Sequence, residues 1–312
     1  MRHRLRAILA TACLCLMTYG SAWAADALSV WVALSDSGGV HAEAAEALRA
    51  ELEMAQPGRI TWRIEHWSGF RSPTSEPQWV VSIGVAAQRG MQQLFVGDPS
   101  PPPLLAILVP RLAFERIADK KRLRARTLSA VFLDQPPARQ LELIRLAVPA
   151  ARKVGVLVGD ESKNHIGALD SAARERGMQL VDSPVGPAGL FPALQSLFPD
   201  VDVLLALPDP AVFNSDTATS ILMAAYRQRV PLIGFSPAYT KAGALLSLHS
   251  TPTQIGKRGG EVLRSALANN FLPPPGWPNE FIVSINRDVA RSLGIVLDQS
   301  QLGEKLRQKE QP

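Results

Sequence analysis

Polar, turn-forming side chains follow most of the apolar runs in this sequence, and they are the residues best suited to bind a small ligand. Parallel α/β sheets bind ligands beyond the carboxyl ends of their strands, where loop amides and helix N-termini converge. Carboxylates and hydroxyls at these positions can orient a polar solute, and an aromatic ring can stack on it. The candidate ligand-binding residues are Ser35, Asp36, Ser37, Gly84, Asp134, Gln135, Asp160, Ser162, Asp209, Ser236 and Tyr239.

Each of these candidates also has a structural interpretation. Asp134 and Asp209 can cap the helix or turn that follows them. Ser35 or Ser37 can cap the first helix in the same way. Gly84 can be a glycine that close packing requires. The sequence leaves both interpretations open for each residue.

The motifs of known catalytic sites are incomplete in this chain. Gly234–Ala238 begins like a nucleophile elbow, but alanine stands at the last position and Pro237 lacks the amide that builds an oxyanion hole. The histidines beyond residue 24 do not pair at a metal-ligand spacing such as H-x-x-x-H. Gly256–Gly260 lacks the P-loop spacing and lies in a helical pattern. We therefore expect a protein that is not an enzyme and has no metal and no cofactor.

The N-terminus has the three parts of a secretory signal. Arginines at positions 2, 4 and 6 precede an apolar run that ends near Met17, and Ala22-Trp23-Ala24 is a small-x-small cleavage site. The run is shorter than the roughly 20 residues that cross a bilayer, which disfavours a membrane anchor. Residues 1–24 are therefore predicted to be a cleaved signal peptide that sends the protein to the periplasm.

Cleavage would change both the cysteine content and the charge. Cys13 and Cys15 lie inside the signal, so the mature chain would have neither a disulfide nor a thiolate site. Removing three arginines and no acid lowers the net charge from +5 to +2. We therefore expect no nucleic-acid partner.

Apolar runs alternate with helical patterns along the chain. The runs are almost continuously apolar, which suits strands covered on both faces. They are residues 28–34, 60–64, 79–83, 104–109, 128–133, 154–158, 179–181, 201–207 and 231–235. Proline and glycine punctuate the helices between them, and Thr251-Pro252-Thr253-Gln254 is a capping box. The pattern predicts an α/β fold with parallel sheets and helices on both faces.

The chain length favours two sheets of five or six strands, although one sheet of ten or more also fits the alternation. We expect the first lobe to end in the charged stretch Asp119–Arg126. If the two lobes face each other, all the candidate residues line one cleft. The polar residues after Ser300 are predicted to be a frayed tail.

Three segments resemble a known family. They are VFLDQPPARQLELIRLAVPAARKVGVLVGDES, then DVLLALPDPAVFNSDTATSILMAAYRQRVPLIGFSPAYTKAGALLSLHSTPTQIGKRGGEVL, and FIVSINRDVARSLGIVL. They are similar to ABC transporter substrate-binding proteins of the tryptophan/tyrosine type, an uncharacterised periplasmic group with the type I periplasmic-binding-protein fold. The resemblance covers about Leu128 to Leu297 and is weaker over residues 26–127. There, Pro110-Arg111-Leu112 replaces the family's small and acidic loop.

The resemblance implies two Rossmann-like lobes with parallel sheets, joined by three crossovers, that close on a solute by hinge motion. Residues 25–126 and about 249–278 would form the N-terminal lobe, residues 127–248 and about 279–300 the C-terminal lobe, and residues 301–312 the tail. The loops facing the ligand would be those that hold Asp134-Gln135, Asp160-Glu161-Ser162, Asp209-Pro210 and Ser236.

The resemblance also implies a function. We expect a periplasmic monomer that captures a small organic solute, such as an amino acid, and delivers it to an inner-membrane ABC permease. The alternative is a sensory or scaffold protein of the same fold that signals to a membrane receptor or kinase. An exported enzyme is a third interpretation.

Overall fold

The computed structural model describes residues 28–71, 77–187 and 189–310. The predicted signal peptide, residues 1–24, lies outside the described residues. The strands are β1 (Leu28–Leu34), β2 (Ile60–His66), β3 (Trp79–Ile83), β4 (Leu104–Val109), β5 (Leu128–Phe132), β6 (Lys153–Val158), β7 (Gln179–Pro184), β8 (Val203–Leu205), β9 (Leu232–Gly234), β10 (Leu246–His249) and β11 (Ile282–Ile285). Each of the nine predicted apolar runs overlaps a strand.

The helices occupy the segments between the strands and the end of the chain. They are α1 (Gly39–Ala55), α2 (Val85–Leu94), α3 (Arg111–Ile117), α4 (Lys120–Arg124), α5 (Pro137–Ala147), α6 (Ile166–Arg174), α7 (Leu190–Leu197), α8 (Ala218–Arg227), α9 (Pro237–Ala242), α10 (Pro252–Asn269), α11 (Arg287–Leu293) and α12 (Gln299–Glu310). Short 3₁₀ helices form at Trp67–Gly69, Ser162–His165 and Phe198–Asp200.

Two separate sheets divide the chain into two lobes, as predicted. The first lobe contains a five-stranded parallel sheet in the order β2-β1-β3-β4-β5. The second lobe contains a six-stranded sheet in the order β11-β10-β9-β8-β6-β7, with β11 antiparallel to β10. Each sheet has a hydrophobic core on both faces, which explains why its strands are almost continuously apolar.

Helix α10 returns the chain to the first lobe and packs closely on α1. A methyl group added at Gly256 would lie 2.2 Å from the carbonyl oxygen of Ala44, and one at Gly260 would lie 2.7 Å from the side chain of Glu51. The glycines of this segment therefore allow two helix backbones to approach each other. The capping box predicted at Thr251 is confirmed, because its side chain accepts the N–H of Gln254 and the Gln254 side chain accepts the N–H of Thr251.

The predicted boundary of the first lobe is wrong by one strand. Residues 127–248 were expected in the second lobe, but β5 pairs with β4 of the first sheet, with Leu128 opposite Leu104. The charged stretch Asp119–Arg126 forms α4, whose first amides are capped by the carboxylate of Asp119. The charges therefore mark a solvated helix within the lobe, and the chain first crosses between lobes after Phe132.

The end of the chain is also more ordered than the sequence predicts. Residues 301–310, expected to fray, lie in α12, where Leu302 and Leu306 are buried in the core of the second lobe. Arg139 of α5 forms an ion pair with Glu310 in the last turn of α12. Leu302 and Leu306 are four residues apart, so they lie on the same face of the helix and pack against the lobe. Polar residues dominate the rest of the segment, and for this reason the sequence alone favours a frayed tail.

Candidate functional site

A small cavity lies between the lobes, next to the crossovers. Its volume is about 50 Å³, room for one or two water molecules. The third crossover is the segment between α10 and β11. Residues of both lobes and of this crossover surround the cavity: Arg111, Leu112, Asp134, Gln135, Pro137, Gln140, Ser162, His165, Leu169, Leu207, Pro208 and Trp277. We call this space the interlobe cavity. The carboxyl ends of β4, β5, β6 and β8 supply most of its walls, which is where parallel sheets place their ligands.

Asp134 follows the carboxyl end of β5 and lines the interlobe cavity. Its Oδ1 accepts the backbone N–H of Arg111 at 2.6 Å. Burial raises the pKa of Asp134 from 3.8 to about 6, although the Arg111 amide, the Arg111 guanidinium and His165 all act to lower it. Within the described ranges, no lysine or arginine side chain lies within ion-pair distance of this carboxylate. Asp134 is therefore a largely buried acid that faces the cavity and, among the described residues, is held by a backbone amide and not by an ion pair.

Arg111 is brought to the cavity by the end of β4. The register of β4 shifts at Leu108, a buried residue with a φ of 57°, so the strand carries an irregularity immediately before the site. Such irregularities bend a strand and re-aim the side chains that follow. The Arg111 guanidinium lies 5.5 Å from the ring centroid of Trp277, and its Nε donates to Glu115 at 2.6 Å.

Trp277 enters the site from the third crossover. Its ring packs edge-on against Phe132 with centroids 5.6 Å apart. Its buried Nε1–H has no hydrogen-bond partner among the described residues. The indole thus offers an aromatic face beneath Arg111 and a free donor at the cavity wall.

Helix α3 of the first lobe reaches across to the second lobe through two ion pairs. Oε2 of Glu115 lies 2.6 Å from Nε2 of His165. Arg116 pairs with Glu161, which directly precedes the Ser162–His165 helix. Both contacts join the two lobes next to the interlobe cavity, which His165 itself lines.

Gln135 lines the cavity, but its side chain joins the crossovers to one another. Its Nε2 donates to Oγ of Ser250 at 2.9 Å, and its Oε1 accepts from Arg139 at 2.6 Å. Arg139 also donates to the carbonyl of Pro278. The predicted ligand contact at Gln135 therefore has its polar atoms already engaged within the protein.

Ser162 and Asp209 meet inside the second lobe. Oγ of Ser162 donates to Oδ2 of Asp209 at 2.6 Å, and the Ala211 amide donates to Oδ1 at 2.9 Å. Asp209 is fully buried, and a methyl group on Gly159 would collide with its carboxylate at 2.6 Å. Asp209 thus connects the loops after β6 and β8 through hydrogen bonds, so its carboxylate is used to hold these loops in place.

The candidates of the first lobe cluster at the carboxyl edge of its sheet, away from the interlobe cavity. Oγ of Ser35 accepts the N–H of Ala87 in the first turn of α2. Gly84 has a φ of +90°, and a methyl group there would lie 2.5 Å from Oγ of Ser35. Asp36 and Ser37 are exposed, and Asp36 accepts the N–H of Gly38. Neither serine caps α1 with its side chain.

The remaining candidates also lie outside the cavity lining. The Asp160 side chain is fully exposed and contacts Lys163. Ser236 precedes α9 and does not cap it with its side chain. Tyr239 packs in an aromatic cluster with Phe235 and Phe213, with ring centroids 4.7 and 6.2 Å away. Its ring is therefore used at least partly for packing.

Arg111, His165 and Trp277 line the cavity but are absent from the predicted set. Arg111 could have been found, because it follows an apolar run closely, as the other candidates do. His165 lies three residues beyond the predicted Ser162. Trp277 follows no strand and reaches the site through a crossover, so the local sequence carries no signal for it.

The model of the family "ABC transporter substrate binding protein" matches residues 128–303, more than half of the chain. The chain belongs to the ABC transporter substrate-binding protein family. The resemblance inferred from the sequence is therefore confirmed, and the family is one of substrate-binding proteins.

A curated relative of this family member is a tyrosine-binding protein of Clostridioides difficile. The two are 24% identical over 161 residues, which is 50% of this chain and 46% of the relative. The chain thus matches about half the length of that protein.

Solved structures of substrate-binding proteins share the fold. A ligand-free, open substrate-binding protein with adhesive properties from Clostridium difficile is 16% identical, with a TM-score of 0.67. An ABC domain from Streptococcus pneumoniae in complex with L-Trp is also 16% identical, with a TM-score of 0.57. Each alignment covers 88% of this chain and 97% of the other. The two-lobed α/β architecture is therefore that of the type I periplasmic binding proteins.

Two further observations concern the part of the chain that the structure describes. None of the helices there combines the length and apolar character needed to span a membrane. Over the same residues, no group of three or more His, Cys, Asp or Glu side chains is arranged to hold a metal ion.

Proposed function

We propose that this protein is the periplasmic solute-binding component of an ABC-type uptake system, and that it captures an amino-acid-like solute between its lobes. The observation that carries the proposal is Asp134, a largely buried carboxylate that faces the interlobe cavity and forms no ion pair with any described lysine or arginine. A solute ammonium group would supply that partner. Arg111 and the ring of Trp277 lie at the same cavity, next to the position such a solute would take.

The relatives support this class of solute. One relative is named for binding tyrosine, and one solved structure of the fold holds L-Trp. An aromatic amino acid combines an ammonium, a carboxylate and a flat ring. Asp134, Arg111 and Trp277 are complementary to these three groups in turn.

Binding requires the lobes to open. The interlobe cavity of about 50 Å³ is far below the roughly 300–1,000 Å³ of ordinary small-molecule sites. Hinge rotation about the three crossovers would enlarge it and admit the solute, and closure would then bury the solute.

A calorimetric and thermal-shift comparison tests the proposal. L-Tyrosine and L-tryptophan should raise the melting temperature, since a ligand at 100 times its Kd stabilises the folded form by about 2.7 kcal/mol. Tyramine, which lacks the carboxylate, and 3-(4-hydroxyphenyl)propionate, which lacks the ammonium, should bind at least tenfold more weakly. Asp134→Asn should lose affinity for L-tyrosine, whereas Asp182→Asn on the exposed face of β7 should not.

A broad screen of amino acids and small solutes without any stabilising ligand would contradict the proposal. Mass spectrometry of protein purified without dialysis offers an independent search for the solute. If it also finds no bound small molecule, solute capture is excluded as the function.

Export and partnership need separate measurements. Fractionation with N-terminal sequencing should place the protein in the periplasm with Ala25 at its start, as the predicted signal requires. Cross-linking in cells should recover a membrane permease with its ATPase. Recovery of a membrane receptor or kinase instead would contradict the uptake function and support the sensory one.

A further inference from the structure

Helix α3 lies at the mouth of the interlobe cavity and makes both ion pairs that join the lobes there. Glu115 and Arg116 are consecutive residues of this helix. Their partners lie at the two ends of the short Ser162–His165 helix of the second lobe: His165 is its last residue, and Glu161 directly precedes it. These contacts lie across the cleft from one lobe to the other, so they must break when the lobes separate.

Glu115 engages two cationic or proton-donating groups at once. Its Oε1 accepts from Nε of Arg111 at 2.6 Å, and its Oε2 lies 2.6 Å from Nε2 of His165. Arg111 and His165 both line the interlobe cavity, and they come from different lobes. A carboxylate of the protein thus occupies the position between the lobes where Arg111 and His165 could jointly hold the carboxylate of a solute.

We infer that Glu115 is an internal substitute for the solute carboxylate, which holds the unliganded cleft closed and is displaced from Arg111 and His165 when the solute binds. This inference rests on the proposed solute-binding function. It assigns carboxylate recognition to Arg111 and His165, one from each lobe, and makes Glu115 their competitor.

The exposure of the side chains makes such a contact reversible. Glu115 remains 42% exposed and His165 19% exposed, so solvent screens their attraction. Each partly exposed pair changes an equilibrium constant by only a few-fold. The two pairs together can favour closure without preventing a solute from entering. A fully buried pair in the same place would lock the cleft.

Removing Glu115 should open the unliganded protein. Small-angle X-ray scattering without solute should give a larger radius of gyration for Glu115→Ala than for the wild type. Arg116→Ala should give a smaller increase in the same direction. Salt at about 1 M should enlarge the wild type, because it screens exposed ion pairs. Glu46→Ala on the exposed side of α1 is the matched control and should leave the radius unchanged.

The same variants separate competition from a purely structural contact. Glu115→Ala should bind L-tyrosine or L-tryptophan a few-fold more tightly than the wild type, since the substitution frees Arg111 and His165 for the solute carboxylate and raises the fraction of open protein. Tyramine, which has no carboxylate to place on Arg111 and His165, should gain much less. His165→Ala should open the cleft but weaken L-tyrosine binding.

The outcomes distinguish this inference from the proposed function. An unchanged radius of gyration in Glu115→Ala overturns the inference, as does equal or weaker binding of the amino acids by that variant. If neither amino acid binds any variant while Glu115→Ala still opens, the closing role of Glu115 stands and the proposed solute class fails.

Discussion

Gln135 and Ser250 lie 115 residues apart in the chain, yet Nε2 of Gln135 donates to Oγ of Ser250 across 2.9 Å. Gln135 belongs to the first crossover and Ser250 to the second. Oγ of Ser250 in turn donates to the carbonyl of Glu280 in the third crossover at 2.5 Å. The three segments that connect the lobes are therefore hydrogen-bonded to one another through the buried side chains of Gln135 and Ser250. We call these contacts the hinge network.

Breaking this hinge network should cost stability. Gln135→Ala removes a buried amide and leaves Arg139 without one of its acceptors, so we expect a loss of about 1–3 kcal/mol in the free energy of unfolding. Urea denaturation measures it. Gln93→Ala, on an exposed position of α2, is the control and should change the stability by less than about 0.5 kcal/mol. Equal effects of the two substitutions would show that the hinge bonds contribute nothing.

The contact between α1 and α10 should not tolerate a side chain. Gly256→Ala places a methyl group 2.2 Å from the carbonyl of Ala44, so one helix must move, at a cost of about 1–3 kcal/mol. Gly303→Ala in α12 is the matched control, because its methyl group would meet Arg307 at an ordinary 3.6 Å and alanine favours helix. We expect a lower melting temperature for the first variant and an equal or higher one for the second. A neutral Gly256→Ala would contradict the close approach of the helices.

The sequence predicts nine of the eleven strands in the described part of the chain and misses two short ones. Most of the nine apolar runs mark strands with both faces covered, which leaves a continuous hydrophobic signal, whereas the edge strands β2 and β7 are only partly buried. The four-residue strands β10 and β11 are not predicted. β11 is an antiparallel edge strand with a half-buried pattern, and β10 follows β9 after only the short helix α9. Short strands of this kind depend on neighbours distant in the chain.

The candidate site is predicted only where it follows a strand. Asp134 is found because polar residues at strand ends share one edge of a parallel sheet. The same rule selects Asp209, but that side chain is buried among loop amides. A position at the end of a strand does not show whether the side chain points into the lobe or towards the cleft. Trp277 is missed because a crossover, and no strand, carries it to the cavity.

Asp209 and Asp160 follow neighbouring strands of the second sheet, but their substitution should have opposite consequences. Asp209→Ala leaves the donors of Ser162 and Ala211 unpaired in a buried site, so we expect a loss of about 3 kcal/mol or more in unfolding free energy. Asp160→Ala should be nearly neutral, because that side chain is fully exposed. Chemical denaturation of both variants checks this. A stable Asp209→Ala would return Asp209 to the list of ligand contacts.

The last helix should contribute to the stability of the second lobe. Leu306 is fully buried against that lobe's core, so Leu306→Ala should lower the free energy of unfolding by about 2–5 kcal/mol. Lys305→Ala, on the exposed side of the same helix, should have little effect. Thermal denaturation distinguishes a docked helix from a frayed one, because neither substitution would change the melting temperature if the helix were frayed.

The charge state of Asp134 should make stability depend on pH in a direction unusual for a carboxylate. Its pKa rises from 3.8 to about 6 on folding, so its contribution is most favourable below pH 3.8, where both states are protonated. As the pH rises through 6, the folded protein must ionise a desolvated acid. The difference of about 2 between the two pKa values corresponds to about 3 kcal/mol of lost stability at neutral pH. Asp134→Asn should therefore be more stable than the wild type by up to about 3 kcal/mol at pH 7.5.

That stability advantage of Asp134→Asn should fall below about 1 kcal/mol near pH 4, because the wild-type carboxyl then keeps its proton when folded. Urea denaturation at several pH values gives the difference directly. A difference that does not vary with pH would mean that the hydrogen bond to the Arg111 amide, and not the buried charge, decides the effect. Acidification below pH 6 should likewise weaken wild-type binding of an ammonium-bearing solute, since a protonated Asp134 no longer attracts a cation.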